Sequence, residues 1–404
     1  MDFEDTPEEA AFRAEAAGWL AAHADRRPAH GRGRFPLPDE PGYVERCKQW
    51  QGILYAGGWA GITWPKEYGG RGGTPMQQLI FSQEQAKFDV STGTFAVGIG
   101  MAGPTLIAHG TDEQKKEHLD PLLRGERVWC QLFSEPGAGS DLAGLGTRAV
   151  RDGDVWIVNG QKVWNSGAHH SDWGILLTRT EVDQPKHRGI TYFLVDMRTP
   201  GIDVRPLRQI TGVAHFNEVF LTDVAIPAAN IVGIPNSGWG VAVTTLANER
   251  NLIGAGGGGS GFSDIVDLAR ACGVDRSPEI RQALAGAYTR VELLKYLGFR
   301  VQTALSRGEQ PGPESSVLKL AYSEHVAQTG DLVVDLQGAA GMLSGHDGRD
   351  DGIWQVQFLN QWMSRLGGGT DQVQRNIIGE RVLGLPGDVR VDKDVPFREL
   401  AKAR

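Results

Sequence analysis

The 404-residue sequence holds only three cysteines, Cys47, Cys130 and Cys272, far apart and odd in number. A disulfide framework is therefore not expected, and a reducing cytoplasm is. No apolar run approaches the ~20 residues needed to span a bilayer. The opening Met1-Asp2-Phe3-Glu4-Asp5 lacks the basic-then-apolar pattern of a signal peptide. The expectation is a soluble, cytoplasmic chain with no membrane partner. Also missing is any Lys/Arg run that could line a polyanion groove, and the net charge is −8, so nucleic acid is not expected either. The sequence has no Walker loop, no Gly-x-Ser-x-Gly elbow and no dinucleotide fingerprint, which removes the support for a nucleotidase, a serine hydrolase or an NAD enzyme. His169-His170 near Asp172 fits no strong metal spacing, so no metal site is expected. His109 and His118 read as solvated.

What remains is an ordinary globular balance, 40% hydrophobic and 22% charged, on a chain longer than one core needs. Thr6-Pro7-Glu8-Glu9 is a capping box with proline at the first helical position, and Thr111-Asp112-Glu113-Gln114 repeats the pattern. Between them, Gly58–Pro65 and Glu67–Gly73 read as loops. From about residue 128 the period shortens towards 2. Asn159-Gly160 predicts a hairpin turn between Val155–Val158 and Gln161–Trp164. Further strands are expected at Gly174–Thr178, Thr191–Asp196, Ile202–Pro206 and Glu218–Val224, which together suggest a compact antiparallel barrel or sandwich. Helical periodicity returns over Val241–Asn251, from Pro278 to Ser306, and over Val317–Leu336 and Gln372–Leu383. The expected division is a helical domain over 1–127, a β-domain over 128–235 and a helical bundle over 236–404.

Three motifs occur in order along this layout. They are Gln131-Leu132-Phe133-Ser134-Glu135-Pro136-Gly137-Ala138-Gly139-Ser140-Asp141, then Asn159-Gly160-Gln161-Lys162-Val163-Trp164-Asn165-Ser166, then Gly369-Thr370-Asp371-Gln372-Val373-Gln374-Arg375. With them the chain resembles the acyl-CoA dehydrogenase family over nearly its whole length. A Gly/Ala/Ser turn after a strand exposes N–H groups, and Ser140 adds a hydroxyl, both suited to a flavin pyrophosphate. The resemblance implies a multidomain fold with a helical N-terminal domain, a central β-barrel or sandwich and a C-terminal four-helix bundle. It implies FAD held by Gln131, Leu132, Phe133, Ser134, Gly139, Ser140, Trp164, Asn165, Ser166, Gln337, Gly338, Gly369, Thr370 and Gln372. Ser140, Arg250 and Gly368 are implied as acyl-CoA contacts. The implied reaction is α,β-dehydrogenation of an acyl-CoA to the trans-2-enoyl-CoA. Electrons would pass to an electron-transferring flavoprotein, and the assembly would be a homotetramer or an α2β2 heterotetramer.

Most of the family carries its catalytic glutamate just before the Gly-Thr of the last motif, where this chain has Gly368. The reaction still needs a carboxylate near the substrate α-carbon. Glu249, in Thr244-Thr245-Leu246-Ala247-Asn248-Glu249-Arg250, resembles the base of isovaleryl-CoA and long-chain acyl-CoA dehydrogenases, which also have glycine before Gly-Thr. The plainer reading pairs Glu249 with a nearby arginine. Gly368 can serve through its backbone N–H, as an oxyanion-type donor to the thioester oxygen. The family's Arg-x-x-Phe-Gly flavin contact is shortened here, and Arg276 or Arg281 is its candidate replacement. The glycine tract Gly254–Gly261 is read either as room for a bulky, branched or steroid-type acyl group or as a flexible connection. Three other readings stand beside the main one: a non-catalytic partner subunit, a related flavin oxidase, and a dehydrogenase of carrier-protein thioesters.

Overall fold

The computed structural model describes residues 5–28, 35–36, 38, 40–255, 261–307, 312, 315–387, 389 and 391–400. The first helix, α1 (Pro7–His23), starts at the expected box: Thr6 accepts from the Glu9 N–H, and Glu9 reaches back to the Thr6 N–H. Then follow α2 (Tyr43–Ala56), α3 (Pro75–Gln85), α4 (Gly103–His109) and α5 (Asp112–Leu123), the last with its own Thr111/Gln114 box. The intervening segments at 58–65 and 67–73 are loops apart from one 3-10 turn, Lys66–Tyr68. Helices α2 and α3 add to the expected elements, and Thr74-Pro75-Met76-Gln77 is a third capping box that forms as one.

The middle of the chain forms one seven-stranded sheet: β1 (Trp129–Leu132), β2 (Arg148–Asp152), β3 (Val155–Val163), β4 (Trp173–Arg179), β5 (Ile190–Asp196), β6 (Ile202–Leu207) and β7 (Phe216–Pro227). The order is β1-β4-β2-β3-β7-β6, with β5 against β4. The expected all-antiparallel pairing fails at two places. β1 and β2 both run parallel to β4, because the chain leaves β1, makes the β2–β3 hairpin and only then returns. The expected turn at Asn159-Gly160 is also absent. The hairpin turns instead at Gly153-Asp154, where Gly153 has φ 61°. Asn159-Gly160 lies inside β3 as a bulge against β7, and a Cβ on Gly160 would collide with Thr147. Both dipeptides suit a two-residue turn; cross-strand packing selected the earlier one.

After β7 come α6 (Gly238–Ala255), α7 (Phe262–Ala271), α8 (Pro278–Ser306), α9 (Ser315–Asp335), α10 (Ile353–Leu366) and α11 (Asp371–Ile377). The helix expected over Gln372–Leu383 is present: α11 continues without a break into a π-helical segment, Ile378–Val382. Residues 256–260 of the glycine tract lie outside the described residues; Gly254 ends within α6 and Gly261 caps α7. The chain divides into two compact units, 1–249 with 389–404, and 250–388. In the first, α1–α5 share a continuous core with one face of the sheet, joining Phe12, Trp50 and Trp64 to Trp129, Ile175 and Tyr192. Cys130, Leu132, Phe193 and Val219 fill the other face. The second unit is built around Ile265, Leu268, Leu284, Val333 and Trp354. All three cysteines are free, and among the described residues no helix is long and apolar enough to cross a membrane.

Candidate active site

The first two motifs meet along β1 and the end of β3. Just beyond β1, Glu135 and Ala138 exchange both backbone hydrogen bonds at 3.0 Å, folding Pro136-Gly137 into a tight turn. The Glu135 carboxylate accepts from the N–H groups of Gly146 (2.7 Å) and Thr147 (2.9 Å) and from Lys162 Nζ (2.8 Å). Lys162 is fully buried and donates also to the Phe133 carbonyl at 3.0 Å. Burial opposes ionisation of Glu135, but Lys162 and these N–H groups still hold its carboxyl below the usual range. Glu135 and Lys162 stand inside the two motifs and were not singled out from sequence. Their pairing accounts for their place there: one ion pair locks the motif turn to β3.

Trp164 follows β3 in the left-handed region (φ 63°), with its indole 61% exposed, between buried Val163 and buried Asn165. A tryptophan in this conformation costs on the order of 1 kcal/mol or more, so the surroundings must impose it. They do so from both sides. Val163 N–H donates to the Ser134 carbonyl (2.9 Å), while Asn165 N–H donates to Asn217 (3.0 Å) and its side-chain amide to the Gln131 carbonyl (2.7 Å). Asn165 is therefore a brace between the two motifs, and its buried Oδ1 has no partner. Leu132 points into the sheet core, so only its backbone can face a ligand. Phe133 is buried, Gln131 and Ser134 are half-buried, and Gly139, Ser140 and Ser166 are exposed.

Glu249 sits one turn beyond Thr245 on the face that α6 buries through Ala242 and Thr245. Thr245 fixes that face with its hydroxyl 2.9 Å from Thr105 Oγ1 and 3.2 Å from the Tyr192 hydroxyl. The result is that Gln131 Nε2 donates to Glu249 Oε2 at 3.4 Å. A strand residue of the first motif and the candidate base thus lie side by side. Arg250 follows within α6, but its side chain falls outside the described residues.

The last motif lies in the second unit. Gly368 (φ 63°) and Gly369 (φ 87°) make the turn between α10 and α11, and Gln374 Nε2 donates to both carbonyls, at 3.0 and 3.4 Å. A Cβ on Gly369 would press on Gln374. Thr370 caps α11, accepting from Val373 N–H, and Gln372 is exposed. Asp371 is buried among Ser323 (2.6 Å), Arg365 (3.1 Å) and Lys319 (3.4 Å). Gln337 is buried, with Nε2 donating to the Val333 carbonyl, and Gly338 opens an exposed 3-10 turn. Arg276 and Arg281 are both exposed.

His118, expected to be solvated, is 2% exposed, with its ring packed edgewise against Trp129 and Trp173. Burial first, and then nearby Arg127, pull its pKa down to about 4. It sits on the inner face of a short amphipathic helix, where a polar residue reads as surface until the tryptophans that cover it are placed. His169 bonds Asn217 Oδ1 at 2.9 Å, and among the described residues no three His, Cys, Asp or Glu side chains cluster as metal ligands.

An exposed flat indole, the hydroxyls of Ser134 and Ser166 and the backbone of Gln131–Ser134 form a surface that fits a planar hydrogen-bonding ring such as a flavin. Profiles of the acyl-CoA dehydrogenase domains match the chain in order: N-terminal domain over residues 6–126, middle domain over 130–224 and C-terminal domain over 236–383. The chain is 39% identical over 382 residues to the acyl-CoA dehydrogenase IpdE1 of Mycobacterium tuberculosis, covering 94% of this chain and 98% of that protein. Among solved structures it is similar to the Tcur3481-Tcur3483 steroid ACAD, with TM-score 0.80 and 29% identity over 96% of this chain and 100% of that one. It is likewise similar to a chain of the ChsE4-ChsE5 complex from Mycobacterium tuberculosis, with TM-score 0.77 and 30% identity over 96% and 100%.

Proposed function

This chain belongs to the acyl-CoA dehydrogenase family and is an oxidoreductase acting on acyl-CoA, and from that premise we propose that it binds FAD and converts an acyl-CoA to the trans-2-enoyl-CoA with Glu249 as its base. The observation that carries this reading is the 3.4 Å approach of Glu249 to Gln131, which sets a carboxylate beside the strand that would hold the flavin. Gln131–Ser134, Gly139, Ser140, Trp164, Asn165 and Ser166 are the residues assigned to FAD in the first unit; Gln337, Gly338, Gly369, Thr370 and Gln372 are those assigned in the second. Bound FAD would accept the two electrons and one proton removed from the substrate β-carbon. The chain's own residues supply the rest. Glu249 takes the α-proton from its half-buried position one turn beyond Thr245 on α6. Gly368 offers its N–H to the thioester oxygen, where enolate-like charge would develop. Ser140, exposed beside the motif turn, meets the acyl-CoA.

For the acyl group we infer a bulky, steroid-type chain, supported by the steroid ACAD among the similar structures. The acceptor inferred is an electron-transferring flavoprotein. The assembly inferred is a tetramer, supported by the apolar side chains that α10 leaves exposed at Ile353, Val356, Met363 and Leu366. A second reading, that of a subunit whose site is completed by a different chain, is favoured by Gly368 and by the ChsE4-ChsE5 complex.

Anaerobic titration of the purified protein with acyl-CoAs tests both. Bleaching of a flavin band by bulky acyl-CoAs, lost about 10³-fold in rate in Glu249→Gln, is the expected result. A colourless chain that takes up no FAD when alone supports the second reading. An unchanged rate in Glu249→Gln removes the base assignment.

A further inference from the structure

Residues 391–400 return to the first unit and lie along the loop between β4 and β5. Phe397 N–H donates to the Gln184 carbonyl at 2.9 Å and Arg398 N–H to that of Val182 at 3.0 Å, while Pro396 bridges Pro185. The Phe397 ring lies against the Arg179 guanidinium, 4.0 Å from its centroid. Arg179 is buried, and it donates to the carbonyls of Lys186 (2.9 Å) and Arg188 (3.2 Å) and to that of Ala143 (2.6 Å) in the motif loop. Lys186 completes the link by donating to Asp141 at 2.9 Å and to Asp392 at 2.6 Å. Two cations are thus each shared among three segments: the terminal strap, the β4–β5 loop and the stretch just after Ser140. Beside them is a cavity of about 640 Å³, walled by Ser140, Lys186 and Arg188 on one side and by Asp392 and Lys393 on the other.

The proton transfer assigned to Glu249 uses none of these groups. Burying an arginine is costly unless its donors find partners; here both Arg179 Nη groups, and the half-buried Lys186, find theirs across separate segments, while Arg179 Nε is left without one. What the network restrains is Asp141, the immediate neighbour of Ser140. We propose that the C-terminal strap is a positioning element for the substrate: Phe397 on Arg179 and Asp392 on Lys186 hold the Ser140 loop in place, and the strap forms the outer wall of the cavity that receives the polar, phosphate-bearing end of acyl-CoA. This rests on the acyl-CoA reading of Ser140.

The test uses full-length Phe397→Ala, Asp392→Asn, Lys186→Met and Lys186→Arg. Expected is an acyl-CoA KM about 10-fold higher in Phe397→Ala and Lys186→Met, a smaller rise in Asp392→Asn, and kcat unchanged throughout. Calorimetric affinity for CoA alone falls in parallel, amide exchange quickens at 140–146 and 180–189, and Lys186→Arg restores all three. Parental KM, CoA affinity and exchange in Phe397→Ala and Asp392→Asn overturn the proposal. Asp392→Asn changes a partly exposed side chain, so it carries the test if Phe397→Ala does not fold. A parent chain that binds no CoA overturns the acyl-CoA reading itself, and the strap's substrate role with it.

Discussion

In the first unit the largest aromatic side chains are enclosed: Trp129, Phe88, Phe95 and Tyr192 are essentially inaccessible, Ile210 and Ile234 are exposed on turns, and the exposed tryptophan, Trp164, is the one a motif presents in a forced conformation. The second unit differs. There α8 exposes Tyr288, Leu293 and Tyr296, and α10 exposes Trp362 with its stripe of Ile353, Val356, Met363 and Leu366. Contiguous apolar surface of this kind is uncommon on a monomer. Polar groups divide the same way. The first unit uses buried Lys162 and Arg179, with half-buried Glu135, to hold the motif loop. The main buried cluster of the second, around Asp371, anchors the Gly-Thr turn. The contrast teaches that the first unit uses buried charge to shape loops, while the second leaves apolar helix faces exposed, the feature on which the assembly proposed above rests.

Variants can break or sharpen that contrast. Lys162→Met leaves Glu135 without its buried cation and should cost about 3–5 kcal/mol. Urea unfolding should show the loss in the first unit's transition, with part of it recovered by adding Glu135→Gln. A loss of under 1 kcal/mol would mean that water replaces the pair. His118 comes next. Its folded pKa, about 4, lies below the ordinary 6.5, so the unfolded chain takes up a proton first. The stability present above pH 6.5 therefore declines as pH falls towards 4, by on the order of 3 kcal/mol. Urea midpoints at pH 7, 5.5 and 4.5 measure it, and His118→Phe should flatten the slope over that window. Leu366→Glu should weaken self-association about tenfold or more, read by light scattering against concentration. An unchanged assembly would mean that the α10 stripe is not the covered surface. Thr370→Ala should have the smallest effect, about 1 kcal/mol, confined to the second unit. If one transition moves as a whole in every variant, the two units do not unfold separately.

The sequence was most legible where a local rule has one outcome. Thr6 and Thr111 each cap a helix through a side chain three residues from its N–H partner, an arrangement that needs nothing distant. The strands from Trp173 to Pro227 lie where alternation placed them. The motif turn was also legible, because its hydrogen bonds close within Glu135–Ala138. Legibility failed where two segments could satisfy one rule: Gly153-Asp154 and Asn159-Gly160 both suit a hairpin, and only the packing of β3 on β7 and Thr147 chose between them. It failed again at His118, whose fate depends on Trp129 and Trp173, and at Arg179 and Lys186, whose partners come from three stretches of chain.

The order of helical and β segments, the family motifs and the glycine at 368 with a glutamate at 249 are properties of the sequence by itself, because each is a matter of residue type at short spacing. The parallel partners of β1, the buried ion pair behind the motif turn, the outward tryptophan at 164 and the terminal strap beside Ser140 belong to the tertiary structure. Each depends on which distant groups share a water-excluded space, where a polar atom must find its partner or lose the free energy of hydration.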